Sequence, residues 1–172
     1  MSEFIFILGG ARSGKSAYAL NLAKKRSRKV LYIATAEAGD CEMKDRISRH
    51  KASRPRCWKT IEEPLDLIAA LKKRKHKYEV IIIDCLTLYL SNLMHKRVKQ
   101  EAVIKKIKDA AAYIMTMKEA VIVISNEVGL GIVPENKLAR EFRDISGVSN
   151  QIMAKAADEA VFIQAGIPLK LK

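Results

Sequence analysis

The chain has 172 residues, 49% hydrophobic and 30% charged, which suits one domain spanning residues 1–172 with a real core. No apolar run approaches the ~18 residues that a membrane span requires, so a membrane segment is excluded. The net charge of +13 favours anionic ligands, but only 6% of residues are aromatic and no basic stretch is interleaved with them, so no nucleic-acid partner is expected.

The first predicted strand, Phe4–Leu8, opens the chain without the basic-then-apolar design of a secretion signal. It runs into Gly9-Gly10-Ala11-Arg12-Ser13-Gly14-Lys15-Ser16, a complete G-x-x-x-x-G-K-S loop, and a helix is predicted over Lys15–Arg26. Strand, glycine loop and helix form the context in which this motif carries a mechanism. Gly9, Gly10 and Gly14 are expected to let the backbone curl so that its N–H groups point at one anion, helped by the helix N-terminus. Lys15 would reach the β- and γ-phosphates and the Ser16 hydroxyl would ligate Mg²⁺. These residues predict a nucleoside triphosphate site.

A second strand, Val30–Thr35, leads to a helix predicted over Glu42–Lys51. On that helix Arg46 and His50 are four apart and share a face. Ile47 is expected beside them, anchoring the helix to the core. Lys51 and Arg54 continue the positive cluster towards Pro55, near which the helix should end. A histidine in such company is expected to stay neutral, because cationic neighbours disfavour imidazolium. That leaves a lone pair able to attack phosphorus, although an isolated histidine is more often structural. His76 and His95 sit in lysine-rich segments without such a constellation.

A weak strand at Lys59–Glu62 and a helix over Leu65–Lys75 come next, then Val80-Ile81-Ile82-Ile83-Asp84. An acidic residue at the carboxyl end of a buried strand lies where open α/β sheets bind ligands. Beside a phosphate loop, Asp84 is expected to hold Mg²⁺ rather than merely cap a turn. Helices are predicted over Leu88–His95, Ala102–Met117, Glu135–Ile145 and Val148–Ala157, and strands over Ala120–Ser125, Ala160–Gln164 and Ile167–Leu171. Several strands are apolar on consecutive residues, the mark of a parallel sheet covered on both faces. Ala165-Gly166 leaves room only for a hairpin turn. The fold class is α/β, with a mostly parallel central sheet flanked by helices and a C-terminal β-hairpin. Between the strand at Ala120–Ser125 and the next helix, Ser125-Asn126-Glu127-Val128-Gly129 through Pro134-Glu135-Asn136 reads as a substrate loop. Lysine and arginine clusters at Lys24–Lys29, Lys72–Lys77, Lys96–Lys99 and Lys105–Lys108 read as solvated surface. Cys41, Cys57 and Cys85 are odd in number and lack C-x-x-C spacing, which suggests neither disulfides nor zinc and fits a reducing cytoplasm.

Taken together, Gly9–Ser16, Tyr32-Ile33-Ala34-Thr35, Glu42-Met43, Arg46-Ile47, His50-Lys51 and Arg54-Pro55 have a family character. So do Trp58, Thr60, Glu62, Asn126–Gly129, Pro134–Asn136, Arg140, Phe142–Asp144, Gly147, Asn150-Gln151 and Ala157-Asp158. The chain resembles the bifunctional adenosylcobinamide kinase / adenosylcobinamide-phosphate guanylyltransferase family of cobalamin biosynthesis. The resemblance implies a RecA-like P-loop fold, a homotrimer and two reactions. The first moves the γ-phosphoryl of ATP or GTP to adenosylcobinamide; the second moves GMP from GTP onto its phosphate, through a covalent guanylyl-histidine that maps to His50. Nucleotide contacts implied by it map to Gly9, Gly10, Ala11, Arg12, Ser13, Gly14, Lys15, Ser16, Ala34, Thr35, Ala36, Lys51, Ala52, Ser53, Arg54, Glu62 and Asp84. Two other readings stay open: a P-loop kinase without guanylyl transfer, in which His50 is dispensable, and a RecA-like nucleic-acid-binding ATPase with polynucleotide-stimulated hydrolysis.

Overall fold

A computed structural model describes residues 3–39, 41–73 and 77–172, with the backbone alone at Arg46. In chain order the elements are β1 (Phe4–Gly9), α1 (Lys15–Arg26), β2 (Val30–Ala34), α2 (Cys41–Ala52), β3 (Lys59–Glu62) and α3 (Leu67–Lys72). They continue with β4 (Val80–Asp84), α4 (Leu86–His95), α5 (Gln100–Met115), β5 (Ala120–Ile124), α6 (Lys137–Ala156), β6 (Glu159–Gln164) and β7 (Ile167–Lys170). The seven strands form one sheet in the order β3-β2-β4-β5-β1-β6-β7. Every pairing is parallel except that of β6 with β7, which is antiparallel.

The consecutive apolar residues in β1, β2 and β4 are explained by burial on both faces. Phe4, Phe6, Leu8, Leu31, Ile33, Ile81 and Ile83 face one apolar layer, shared with α3, α4, α5 and α6. Ile5, Ile7, Val30, Tyr32, Val80 and Ile82 face the opposite layer, closed by Ala19, Leu20 and Ala23 of α1 and by Trp58. Each fully buried aliphatic side chain contributes about 1.5–3 kcal/mol. A run of alternating polarity could not fill both layers at once. The predicted strands are all present, within one residue at each end.

Apart from ends shifted by up to two residues, as in α4 and α5, the helices depart from expectation in two places. α3 is shorter than the predicted Leu65–Lys75, because Asp66 caps it by accepting from the Ala69 N–H at 2.9 Å; Lys75 lies outside the described residues. The two helices expected at Glu135–Ile145 and Val148–Ala157 are a single helix, α6, started by Asn136 accepting from the Ala139 N–H. Its buried stripe of Ile145, Ser146, Ser149, Asn150 and Met153 runs past Gly147 without a break. Packing on both sides of the glycine outweighs its propensity cost of about 1 kcal/mol. A Cβ added at Gly147 would meet nothing within 4 Å. Gly147→Ala is therefore expected to raise the thermal midpoint by roughly 1–4 °C. A lower midpoint in thermal unfolding would mean that this position has to be bare to meet another chain.

Parallel strands place their carboxyl ends along one edge, where α/β sheets bind ligands. Register aligns Glu62 of β3 with Ala34 of β2, Ala34 with Asp84 of β4, and Asp84 with Ile124 of β5. Three of the residues singled out from the sequence thus stand side by side.

Candidate active site

The phosphate loop joins β1 to α1. Gly9 has φ 154° and Gly14 φ 100°, while Arg12 is left-handed at φ 55°. A Cβ on Gly9 would lie 2.4 Å from the Ile163 carbonyl oxygen, and one on Gly14 would lie 3.3 Å from the Gly166 Cα. The loop therefore needs glycine at these two positions for both conformation and space. Gly10 differs: a Cβ there meets nothing within 4 Å, so the chain's own packing does not require a glycine at that position, contrary to expectation. The loop rests on the turn between β6 and β7, whose Gly166 N–H donates to the Ser13 carbonyl at 2.9 Å. That turn uses Ala165 at φ 51° and Gly166 at φ 82°, the paired positive φ values of a tight hairpin.

Gly14 caps α1 without a side chain that could accept, and the first turn holds no acidic residue. Its N–H groups and dipole are thus presented to an anion. Lys15 is buried and its ammonium donates to the Gly10 carbonyl at 2.5 Å, bent back over the loop that it closes.

α1 packs across β1, β5 and β4, which brings Ser16 to the end of β4. There the Ser16 hydroxyl donates to Asp84 Oδ2 at 3.3 Å, and the Tyr32 hydroxyl donates to the same oxygen. His50, from the last turn of α2, approaches it too, with Nδ1 at 3.8 Å. Asp84 is nearly buried and His50 is 40% exposed. The sequence suggested cations around His50; the structure adds a carboxylate directly behind its ring. α2 is held more thinly than expected. Met43, Ile47 and His50 form its half-buried stripe, and Ile47 belongs to neither core layer.

Tyr32 gave no functional signal beyond being a tyrosine among aliphatic strand residues, whose hydroxyl must find a partner once buried. It is 1% exposed. Burial, then the Asp84 carboxylate, push its phenol well above the ordinary value, so it remains a donor. Its ring also carries Arg54, whose guanidinium carbon lies 3.6 Å from the ring centroid. Arg54 donates to Thr60 at 3.4 Å, while its Nε is buried without a partner among the described residues. Cys85, next to Asp84, is pushed up to about 12, by burial first and Asp84 second. It is a protonated neighbour at neutral pH and not a second nucleophile.

Other expected residues lie further out. Lys51 pairs with Glu62 at 2.5 Å on the rim, both half exposed. Ala52 and Ser53 end α2 in the open, with the Ser53 hydroxyl donating to the His50 carbonyl. Ala34 ends β2, and Thr35 and Ala36 follow it. The Thr35 hydroxyl donates to the Cys85 carbonyl at 2.7 Å and accepts from the Cys85 N–H at 2.8 Å, tying β2 to β4 just below the site. Asn92 of α4 supports the same strand end by donating to the Thr35 carbonyl. His95 is exposed and its Nδ1–H donates to the Ser91 carbonyl; His76 and the Arg46 side chain lie outside the described residues.

The loop after β5 starts from a buried polar network. Ser125 donates to Asn150 at 2.7 Å, the Thr87 hydroxyl accepts from the Asn126 N–H at 2.7 Å, and the Glu127 N–H donates to the Gly9 carbonyl. Glu127 then turns its carboxylate onto the Gly129 N–H, and Leu130 and Ile132 are exposed beyond it. A cleft of about 400 Å³ opens between this loop and the outer side of the phosphate loop, reaching Phe162 and Ala165.

Two hard oxygen donors, Ser16 and Asp84, thus meet beside a phosphate cradle. Magnesium is held in such sites by one or two protein oxygens together with substrate phosphates. The donor set fits that ion, and among the described residues no group of three or more His, Cys, Asp and Glu offers a rival metal cage. No described helix is long and apolar enough to cross a membrane.

Solved structures share this architecture. The RadB recombinase aligns with TM-score 0.53 at 15% identity, over 93% of this chain and 73% of that one. The KaiC-like protein PH0186 of Pyrococcus horikoshii gives 0.53 at 7%, over 93% and 70%. These likenesses make the fold RecA-like. Sequence similarity reaches further. The bifunctional adenosylcobalamin biosynthesis protein CobP of Pseudomonas aeruginosa is 41% identical, covering 96% of this chain and 95% of its own. CobU of Escherichia coli is 37% identical, over 98% and 99%. Residues 5–171 match the family described as cobinamide kinase / cobinamide phosphate guanyltransferase. With a phosphate loop, a facing carboxylate and a histidine gathered at one sheet edge, the chain belongs to that family of bifunctional kinase and guanylyltransferase enzymes of cobalamin biosynthesis.

Proposed function

We propose that one nucleotide pocket, on one domain spanning 1–172, performs both reactions in turn. In the first, ATP or GTP lies with its β- and γ-phosphates in Gly9–Ser16 and Lys15 turns from the Gly10 carbonyl onto them. The γ-phosphoryl passes to the hydroxyl of adenosylcobinamide. Ser16 and Asp84 would hold Mg²⁺, which when bound would supply neutralisation of the phosphate charge. Positioning and charge neutralisation are all that this step needs.

In the second reaction the bond between the α- and β-phosphates of GTP must break. His50 attacks the α-phosphorus, pyrophosphate leaves into the phosphate loop, and GMP remains on the imidazole. The phosphate of adenosylcobinamide phosphate then takes GMP, restoring His50. Covalent catalysis divides one hard transfer into two easier ones. Arg54 and Lys51 offset the charge developing on the α-phosphate, and Glu62, already paired with Lys51, offers its second carboxylate oxygen to the guanine or ribose edge. Ala34–Ala36 and Lys51–Arg54 line the nucleotide. The working unit is a homotrimer in the cytoplasm.

The observation that carries this reading is the meeting of Ser16 and His50 on one oxygen of Asp84. It supports a nucleophile within reach of the phosphate loop, which a simple kinase would not need. The test is covalent labelling with Mg²⁺ and GTP carrying radiolabel at the α- or the γ-phosphate. An acid-labile, alkali-stable label on the protein from α-labelled GTP alone is expected. Phosphoryl transfer to cobinamide with no α-label would leave a kinase only.

A further inference from the structure

We infer that Asp84 is the positioning residue for the nucleophile. It holds Nδ1 of His50 so that GMP is carried on Nε2, and Tyr32 fixes Asp84 for that task. The inference rests on the covalent histidine reading and adds which ring nitrogen reacts and what aims it.

An imidazole has two nitrogens, and the one that holds a proton against a partner leaves the lone pair on the other. Here the partner is a carboxylate: Nδ1 is 3.8 Å from Asp84 Oδ2. That distance is longer than a hydrogen bond, as catalytic pairs often are before substrate draws them together. The carboxylate itself has little freedom. It is 11% exposed, and Oδ2 accepts from the hydroxyls of Ser16 and Tyr32. Tyr32 in turn is locked in the core between the sheet and the guanidinium of Arg54. Phenol, carboxylate and imidazole form a chain running from buried to exposed, ending in a half-exposed ring. This is the arrangement of a nucleophile oriented by one group that is itself oriented by a third.

The step balances. The Nε2 lone pair forms a bond to the α-phosphorus, and the α-phosphorus–oxygen bond to the β-phosphate breaks with its electron pair leaving on pyrophosphate. The proton on Nδ1 stays where it is, so the guanylylated ring carries a positive charge that faces Asp84. When a phosphate oxygen of the acceptor attacks the same phosphorus, the nitrogen–phosphorus bond breaks and its electron pair returns to Nε2. Asp84 therefore serves the second reaction through Oδ2. The hydroxyls of Ser16 and Tyr32 and the imidazole of His50 all approach that same oxygen.

The experiment uses full-length protein labelled with ¹⁵N-histidine, guanylylated by GTP, quenched in alkali and digested. The attachment nitrogen on the peptide carrying residue 50 is read from ¹⁵N–³¹P coupling. Single-turnover rates of guanylylation are measured in parallel for wild type, Asp84→Asn and Tyr32→Phe. Attachment at Nε2 is expected. Asp84→Asn should slow guanylylation about 10²- to 10⁴-fold, through the wrong tautomer and the lost metal donor together, so the Tyr32 variant is the one that separates positioning from metal binding. Tyr32→Phe retains the carboxylate and the ring under Arg54, so it should slow guanylylation roughly 10- to 100-fold at saturating GTP, with the GTP dependence unchanged. Attachment at Nδ1 would overturn the inference and leave the covalent reading standing. So would attachment at Nε2 with a rate untouched by both substitutions, which reduces the pair to a packing contact. No adduct on any histidine would remove the covalent reading, and this inference with it.

Discussion

His50→Ala is expected to lose guanylyl transfer by about 10³-fold or more, while phosphoryl transfer to cobinamide stays within about threefold. Removing a covalent nucleophile forfeits the whole two-step route, and single losses of that kind reach about 10⁶-fold in other enzymes. The kinase step uses other groups. In the proposed kinase step Lys15 and the loop amides would hold the phosphates, and the Ser16–Asp84 hydrogen bond does not involve the imidazole 3.8 Å away. His50 is at the end of a thinly packed helix and 40% exposed in its side chain, so its truncation opens no core cavity. Parallel assays of the two half-reactions, with thermal unfolding as a control, decide the matter. Equal loss of both would make His50 a structural or shared group. Retention of both would make the histidine a bystander and return the chain to a different transfer chemistry.

Gly9→Ala and Gly10→Ala are expected to behave as opposites. At Gly9 the backbone has φ 154°, and a Cβ would sit 2.4 Å from the Ile163 carbonyl oxygen and 2.7 Å from Ser13 Oγ. A hydroxyl can rotate, but a carbonyl in β6 cannot move without disturbing its pairing with β1. Backbone strain of about 1–3 kcal/mol adds to the clash. A loss of about 2–4 kcal/mol would lower the thermal midpoint on the order of 10 °C. Both activities would fall, since the loop itself is displaced. Gly10→Ala adds a Cβ into open space, and its stability should stay within about 0.5 kcal/mol of wild type. Any effect of that variant should then appear in nucleotide affinity alone. A midpoint for Gly9→Ala equal to that of wild type would show that β6 yields more readily than its hydrogen bonding implies.

Much of the architecture was legible because its signals are local. Val80-Ile81-Ile82-Ile83 can only be a strand buried on both faces, and the glycine-lysine-serine loop dictates a strand on its N-terminal side and a helix on its C-terminal side. The misjudged helix at Lys137–Ala156 shows the limit of such signals. Gly147 reads as a break by propensity, yet the apolar stripe passing it on both sides is buried by contacts remote in sequence. Ile47 was misread for the related reason that helical spacing gives a face but not what the face meets.

The site was legible as a set of residues but not as an arrangement. Lys15, Ser16, His50 and Asp84 were readable from motif, strand end and charge context. Tyr32 was not, since a tyrosine in a β-strand is ordinary until its hydroxyl is seen to lie on the Asp84 carboxylate. Nor could spacing show that Lys51 and Glu62 pair on the rim, or that the hairpin turn at Ala165-Gly166 braces the phosphate loop near the opposite end of the chain.

By itself, then, the sequence determined the strands, the phosphate loop, the histidine proposed as nucleophile and the acidic strand end. Each of these is set by side-chain chemistry or by periodicity over a few neighbouring residues. The tertiary structure alone decided that β5 separates β1 from β4 while α1 bridges them, and that Ser16, Tyr32 and His50 meet on one oxygen of Asp84. Those are distances between residues 34 to 68 positions apart. They are fixed by strand order and helix packing, quantities that no local window of the chain contains.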